Sequence, residues 1–166
     1  ERMIGKLFSI SVNIPAFLER FPDAKLLYMI REPLNVIPSG LSLVTGVLDA
    51  VFGFWSMPQE KRQFYIDRLY KALVELQLRF HDDWITGKID KEKVMIVKYD
   101  RMMSDFEGLM DDILEFANHE ASEDLLAKIK DTGEQQRNYT SKHKYDLKKF
   151  GLSEEKIRTD CAKIYD

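Results

Sequence analysis

A chain of 166 residues with 45% hydrophobic and 32% charged side chains has the length and composition of one globular domain with a single core. A formal net charge of -3 excludes the strongly basic surface of a general nucleic-acid binder, so any anion site must be local. Cys161 is the only cysteine and His81, His119 and His143 lie far apart, which leaves no intrachain disulfide and no metal-ligand spacing.

The chain begins at Glu1 and carries no signal-peptide pattern. The first strong element is the apolar run Lys25–Ile30, bounded by Pro22-Asp23 before and Arg31-Glu32-Pro33 after. It predicts a strand buried on both faces, as in a parallel sheet covered by helices. Pro33 stands where a first helical residue would, and Leu34, Ile37, Leu41 and Val44 recur with helical spacing to about Gly46. Pro38 inside that helix predicts a kink or local widening near Ser39-Gly40. Val47 to Met57 reads as an irregular loop whose Phe52, Phe54 and Trp55 either line a ligand pocket or pack against the core. The longest apolar run, Leu41 to Trp55, is interrupted by polar residues and glycines and reads as too short and polar to span a bilayer.

Pro58 opens a long helix ending near Gly87, with Ile66, Leu69, Leu73, Leu76, Phe80 and Trp84 on one stripe. Val94 to Tyr99 is a second β-type run. Ser104-Asp105-Phe106-Glu107 has the pattern of a capping box and starts a helix with Phe106, Leu109, Met110, Ile113, Leu114 and Ala117 on one face. Ser122 begins another short helix, Thr132 to Lys144 is polar without periodicity, and Gly151 and Ser153 with Glu154 and Glu155 introduce a terminal helix. The alternation predicts a helix-rich α/β layered fold with a small parallel sheet flanked by helices.

The combination that carries chemistry is a buried strand ending in Arg31, a proline-initiated helix, and Ser39 eight residues after the arginine. An arginine at a strand's C-terminal edge offers paired donors to phosphate oxygens, the helix start adds a favourable dipole, and a hydroxyl supplies one more donor. By pattern alone, Arg-Glu-Pro is equally a surface turn with Arg31 paired to Glu32 or another carboxylate, and a helical serine such as Ser39 usually bonds back to its own backbone.

The segment Phe21-Pro22-Asp23-Ala24-Lys25 through Arg31-Glu32-Pro33-Leu34-Asn35-Val36 to Ser39 resembles the 3'-phosphate-binding segment of the sulfotransferase superfamily. The resemblance implies that Arg31 and Ser39 bind the 3'-phosphate of the donor 3'-phosphoadenosine 5'-phosphosulfate; Glu32 departs mildly from the usual aspartate or asparagine. Lys98-Tyr99-Asp100-Arg101-Met102 is similar to the strand end leading into the family's Tyr-Glu-Asp-Leu segment, which implies a nucleotide-holding role for Tyr99. On residues alone, Tyr99 is as readily a strand-end ring packed on a helix. Tyr139 to Leu147 with Phe150-Gly151-Leu152-Ser153 looks like the late loop and terminal helix of bacterial-type members, which makes Ser141, Lys142 and His143 candidates to cover the donor; a solvated basic loop is the other reading.

The resemblance implies a P-loop NTPase-like sulfotransferase fold, incomplete in that no phosphosulfate-binding loop precedes Arg31, so that residues 1–166 form the C-terminal part of a longer domain. It implies sulfuryl transfer to a hydroxyl or amine on a small-molecule or glycan acceptor, with no metal, no nucleic acid and no membrane segment in the chain. Lys6 to Pro15 holds no histidine or acid, and Ser11 and Asn13 are poor bases, so no catalytic base is assigned. A non-catalytic nucleotide- or protein-binding domain on the same scaffold is the alternative. A kinase-like enzyme ranks last, because no Gly-x-x-x-x-Gly-Lys-Ser/Thr loop occurs. The single cysteine and absent targeting signal point to the cytoplasm, and equally fit a Golgi-lumenal enzyme freed of its anchor.

Overall fold

In the computed structural model, which describes residues 3–139 and 146–165, the chain divides into two units. One contains the residues up to Pro22, Glu32–Ile89 and the residues from 146 onward. The other contains Asp23–Arg31 and the segment that follows Ile89.

The first unit is helical. A short turn of 3-10 helix, Phe8–Val12, leads into α1 (Ile14–Arg20), whose first turn is capped by the Asn13 side chain accepting from the Ala16 N–H at 3.3 Å. Helix α2 (Pro33–Phe52) starts at its proline and runs for 20 residues to Gly53, whose φ of 62° ends it in the left-handed conformation. The stretch expected as a loop after Gly46 is therefore helix as far as Phe52, and α2 continues without interruption through Pro38. Its apolar spacing does not lapse where the loop was expected, because Val47, Leu48 and Val51 carry it onward past Gly46.

The longer helix also corrects the reading of the apolar run. With a mean hydropathy of 1.5, α2 is long and apolar enough to cross a membrane by length and composition. In this fold Ile37 and Leu41 are fully buried, so one face of α2 belongs to a protein core. Gly40 lets α3 (Gln59–Ile85) approach closely there, since a Cβ at that position would lie 3.0 Å from Leu73 Cδ1. The core joins Ile37 and Leu41 of α2, Ile66, Tyr70 and Val74 of α3, Phe54 and Phe150, and Ile157 and Cys161 of the terminal segment. Phe54 and Trp55 thus pack inside, edge to face at 5.1 Å, while Phe52 is exposed.

The second unit holds the sheet. β1 (Leu26–Ile30) and β2 (Val94–Lys98) pair in parallel from Leu26 opposite Val94 to Ile30 opposite Lys98. Val94 and Val97 are buried, and burial pushes the Tyr28 phenol up to about 12. β1 is not buried on both faces, however: Leu27 and Met29 are 45% and 53% exposed. The continuous apolar run carries no alternation from which an open face could be read.

β2 passes directly into α4 (Tyr99–Ser104), followed by α5 (Phe106–Phe116) and α6 (Glu123–Arg137). The expected capping box at Ser104 does not form, because Ser104 is the last residue of α4 and donates to the Asp100 carbonyl at 2.9 Å. Asp105 occupies the cap position, and its carboxylate pairs with Arg101 at 3.2 Å. Ser122 does cap α6, accepting from the Leu125 N–H at 3.3 Å. That helix extends into the stretch expected to lack periodicity, as far as Arg137, which reaches Glu107 of α5 at 2.7 Å.

Candidate functional site

Parallel register determines which residues leave the sheet together. Because Ile30 lies opposite Lys98, the next residues, Arg31 and Tyr99, emerge side by side at the C-terminal edge. Tyr99 is already the first residue of α4 rather than the last of β2. The Arg31 guanidinium carbon stands 4.1 Å from the centroid of the Tyr99 ring, a cation–π contact that holds the planar fork against an aromatic face.

The surface-turn reading required Arg31 to be taken up by a carboxylate. Glu32 is the nearest in sequence, and it pairs instead with Arg158 at 3.4 Å. Among the described residues Arg31 makes no ion pair, so its donors are open to an anion. Arg158 is a residue that sequence reasoning missed, because 126 positions separate it from Glu32 and no local pattern signals the pairing. It also lies 5.3 Å from the centroid of the Tyr165 ring. Burial, then the charge of Glu32, push the Tyr165 phenol above its ordinary pKa, while Arg158 and the Leu34 backbone N–H at the start of α2 pull it back.

Ser39 stands in the second turn of α2 and is half-buried. Thr45 on the same helix donates back to the Leu41 carbonyl at 2.7 Å. Among the described residues the Ser39 hydroxyl makes no such bond. Arg31 and Tyr99 belong to the second unit and Ser39 to the first. Ser141, Lys142 and His143 lie outside the described residues. The two weak bases considered upstream are structural: Ser11 donates to the Phe8 carbonyl at 2.5 Å, and Asn13 caps α1.

A strand ending in an uncommitted arginine, followed by a proline-started helix, is the layout on which the resemblance rested. The sequence profile of the sulfotransferase family matches residues 1–123, well over half of the 166. The chain belongs to the sulfotransferase family. A search of curated proteins returns no match. Among solved structures, the chain is similar to the crystal structure of sulfotransferase STF9 from Mycobacterium avium, with a TM-score of 0.70 and 24% identity over 97% of this chain. At that identity the likeness speaks for the fold: a helix-rich α/β arrangement with a small parallel sheet. The chain spans 40% of the length of that structure.

Proposed function

We propose that this sulfotransferase takes part in sulfuryl transfer from 3'-phosphoadenosine 5'-phosphosulfate to a hydroxyl or amine acceptor, and that this segment holds the nucleotide end of the donor. The observation that carries the reading is Arg31, backed by the Tyr99 ring at 4.1 Å and free of any carboxylate partner among the described residues. A charge-assisted arginine–phosphate contact has the planar, two-donor geometry that the 3'-phosphate requires. Tyr99 keeps the guanidinium oriented, and Ser39 retains the donor role that the family resemblance gives it.

Transfer of the sulfuryl group is an in-line displacement, so positioning of donor and acceptor supplies much of the catalysis. Arg31, Tyr99 and Ser39 break no bond in this scheme; they fix the adenosine phosphate so that the sulfur faces the acceptor. Small molecules and glycans both offer the required hydroxyl or amine, and either location, cytoplasm or Golgi lumen, supplies them.

Calorimetric titration with 3'-phosphoadenosine 5'-phosphate tests the reading. Saturable binding that Arg31→Ala weakens by roughly 1.5 to 3 kcal/mol, the range for a hydrogen bond to a charged group, is the expected result. Equal affinity in the two proteins would remove Arg31 from the site.

A further inference from the structure

The first unit contains a concavity. Between α2 and α3 lies an open cavity of about 310 Å³, near the lower end of the sizes that take small ligands. Val44 and Leu48 of α2, Phe54, and Leu69 and Ala72 of α3 form apolar walls. Thr45 and Tyr65 also line it; the Thr45 hydroxyl is committed to the Leu41 carbonyl at 2.7 Å, and Tyr65, half exposed, adds a phenol beside Arg68. On the same helix α2, Val47, Val51 and Phe52 are also exposed.

Among the described residues, one charged side chain lines this cavity, that of Arg68. Its helical neighbours are Phe64, Tyr65, Lys71 and Ala72, none of them acidic. Among the described residues it forms no ion pair, and its guanidinium carbon sits 5.5 Å from the centroid of the exposed Phe64 ring. An arginine of this kind lays its aliphatic stem along the apolar wall and keeps its charge at the water-facing rim. An apolar trough ending in a single unpaired cation is complementary to a molecule with an apolar chain and one negative head.

We propose that this cavity binds a free amphipathic anion, an alkyl chain ending in a carboxylate, with the chain against Leu48, Phe54 and Leu69 and the head on Arg68. The concave wall and the lone cation favour a single small molecule over a membrane surface, which calls for a broad convex face with several cations. The cavity lies wholly within the first unit, whereas Arg31 and Tyr99 belong to the second.

Calorimetry of this chain with decanoate, below the concentration at which it self-associates and without nucleotide, reads the site directly. Decanoate saturates with one-to-one stoichiometry, and Arg68→Gln weakens it about tenfold or more, as loss of a charge-assisted contact requires. Decanol, with the same chain and no charge, binds the parent no better than decanoate binds Arg68→Gln. Ala72→Phe, built from an exposed helix position, fills the cavity and abolishes binding with an unchanged circular dichroism spectrum. Val44→Trp, at a position 37% exposed, does the same from the other helix and serves if Ala72→Phe fails to fold. Equal affinity for decanoate and decanol with no effect of Arg68→Gln would overturn the assignment. So would binding to phosphatidylglycerol vesicles without saturable uptake of decanoate, which would make the face a membrane contact.

Discussion

Glu32 adjoins Arg31 in the chain, and a pair between them would leave no anion site. The alternative partner Arg158 resolves the competition, since one carboxylate oxygen at 3.4 Å from that guanidinium draws Glu32 away. Tyr99 then acts on Arg31 through its ring, not its hydroxyl. Tyr99→Phe should therefore keep the nucleotide affinity within about twofold, while Tyr99→Ala should weaken it by roughly 0.5 to 2 kcal/mol, the range for a cation–π contact. Competition binding with 3'-phosphoadenosine 5'-phosphate distinguishes the two; a loss on Tyr99→Phe as large as that on Tyr99→Ala would assign the role to the hydroxyl.

A second residue-scale device lies in the core of the first unit. The Tyr70 hydroxyl donates to Asp160 at 2.7 Å, and Lys156 reaches the same carboxylate at 2.9 Å. The Tyr70 bond first, and Lys156 second, hold the Asp160 carboxyl below its ordinary 3.8. Because the folded-state value is depressed, this stabilisation is present above the ordinary carboxylate pKa and is lost as pH falls through the folded value. Tyr70→Phe should cost about 1 kcal/mol at neutral pH, and the gap from the parent should narrow in acid below 3.8. Urea melts at neutral pH and in acid check this; a gap that stays constant would assign the loss to packing.

At the scale of elements, caps and stops explain the boundaries better than composition does. Gly53 ends α2 and Gly87 follows α3, both with positive φ. Gly151 does the same after the 3-10 turn Leu147–Phe150, at φ 68°, with Gln63 3.2 Å from where a Cβ would stand. Its turn hands the chain to Leu152 and then to α7 (Glu154–Asp160), which Ser153 caps by accepting from the Lys156 N–H at 3.2 Å. Gly151→Ala should destabilise by about 1 to 2 kcal/mol, the cost of left-handed backbone for a residue with a Cβ. Thermal unfolding followed by circular dichroism measures it, and an unchanged Tm would show that the turn relaxes freely. The failed box at Ser104 follows the same logic: α4 adds one turn of helix after β2, and the cap position moves on to Asp105.

For the whole molecule, a net charge of -3 means that the proposed nucleotide binding could not come from the overall field. If the proposal holds, it comes from a few residues and is visible as ligand-linked stability. A ligand bound only by the folded chain at 100 times its Kd adds about 2.7 kcal/mol. The Tm should therefore rise with 3'-phosphoadenosine 5'-phosphate in the parent and hardly at all in Arg31→Ala. A rise of the same size in both proteins would indicate a nucleotide site that does not use Arg31.

What the sequence by itself determined was local. Strand, proline and helix start around Arg31 follow from a short apolar run and one ring-locked residue, and the glycine and serine signals at Gly151, Ser153 and Ser122 depend only on backbone chemistry. The family resemblance was legible because its residues are close neighbours in sequence. Tertiary structure decided what lies far apart or depends on burial. The open face at Leu27 and Met29 cannot be read from an apolar run, since hydrophobicity marks capacity for burial and not its occurrence. The extension of α2 past Gly46 to Gly53 brings only Leu48 of that last stretch against the core and leaves Val47, Val51 and Phe52 exposed, so it is decided by where the left-handed Gly53 ends the helix. The freedom of Arg31 likewise depends on a partner for Glu32 contributed by α7, through a contact that only the folded chain creates.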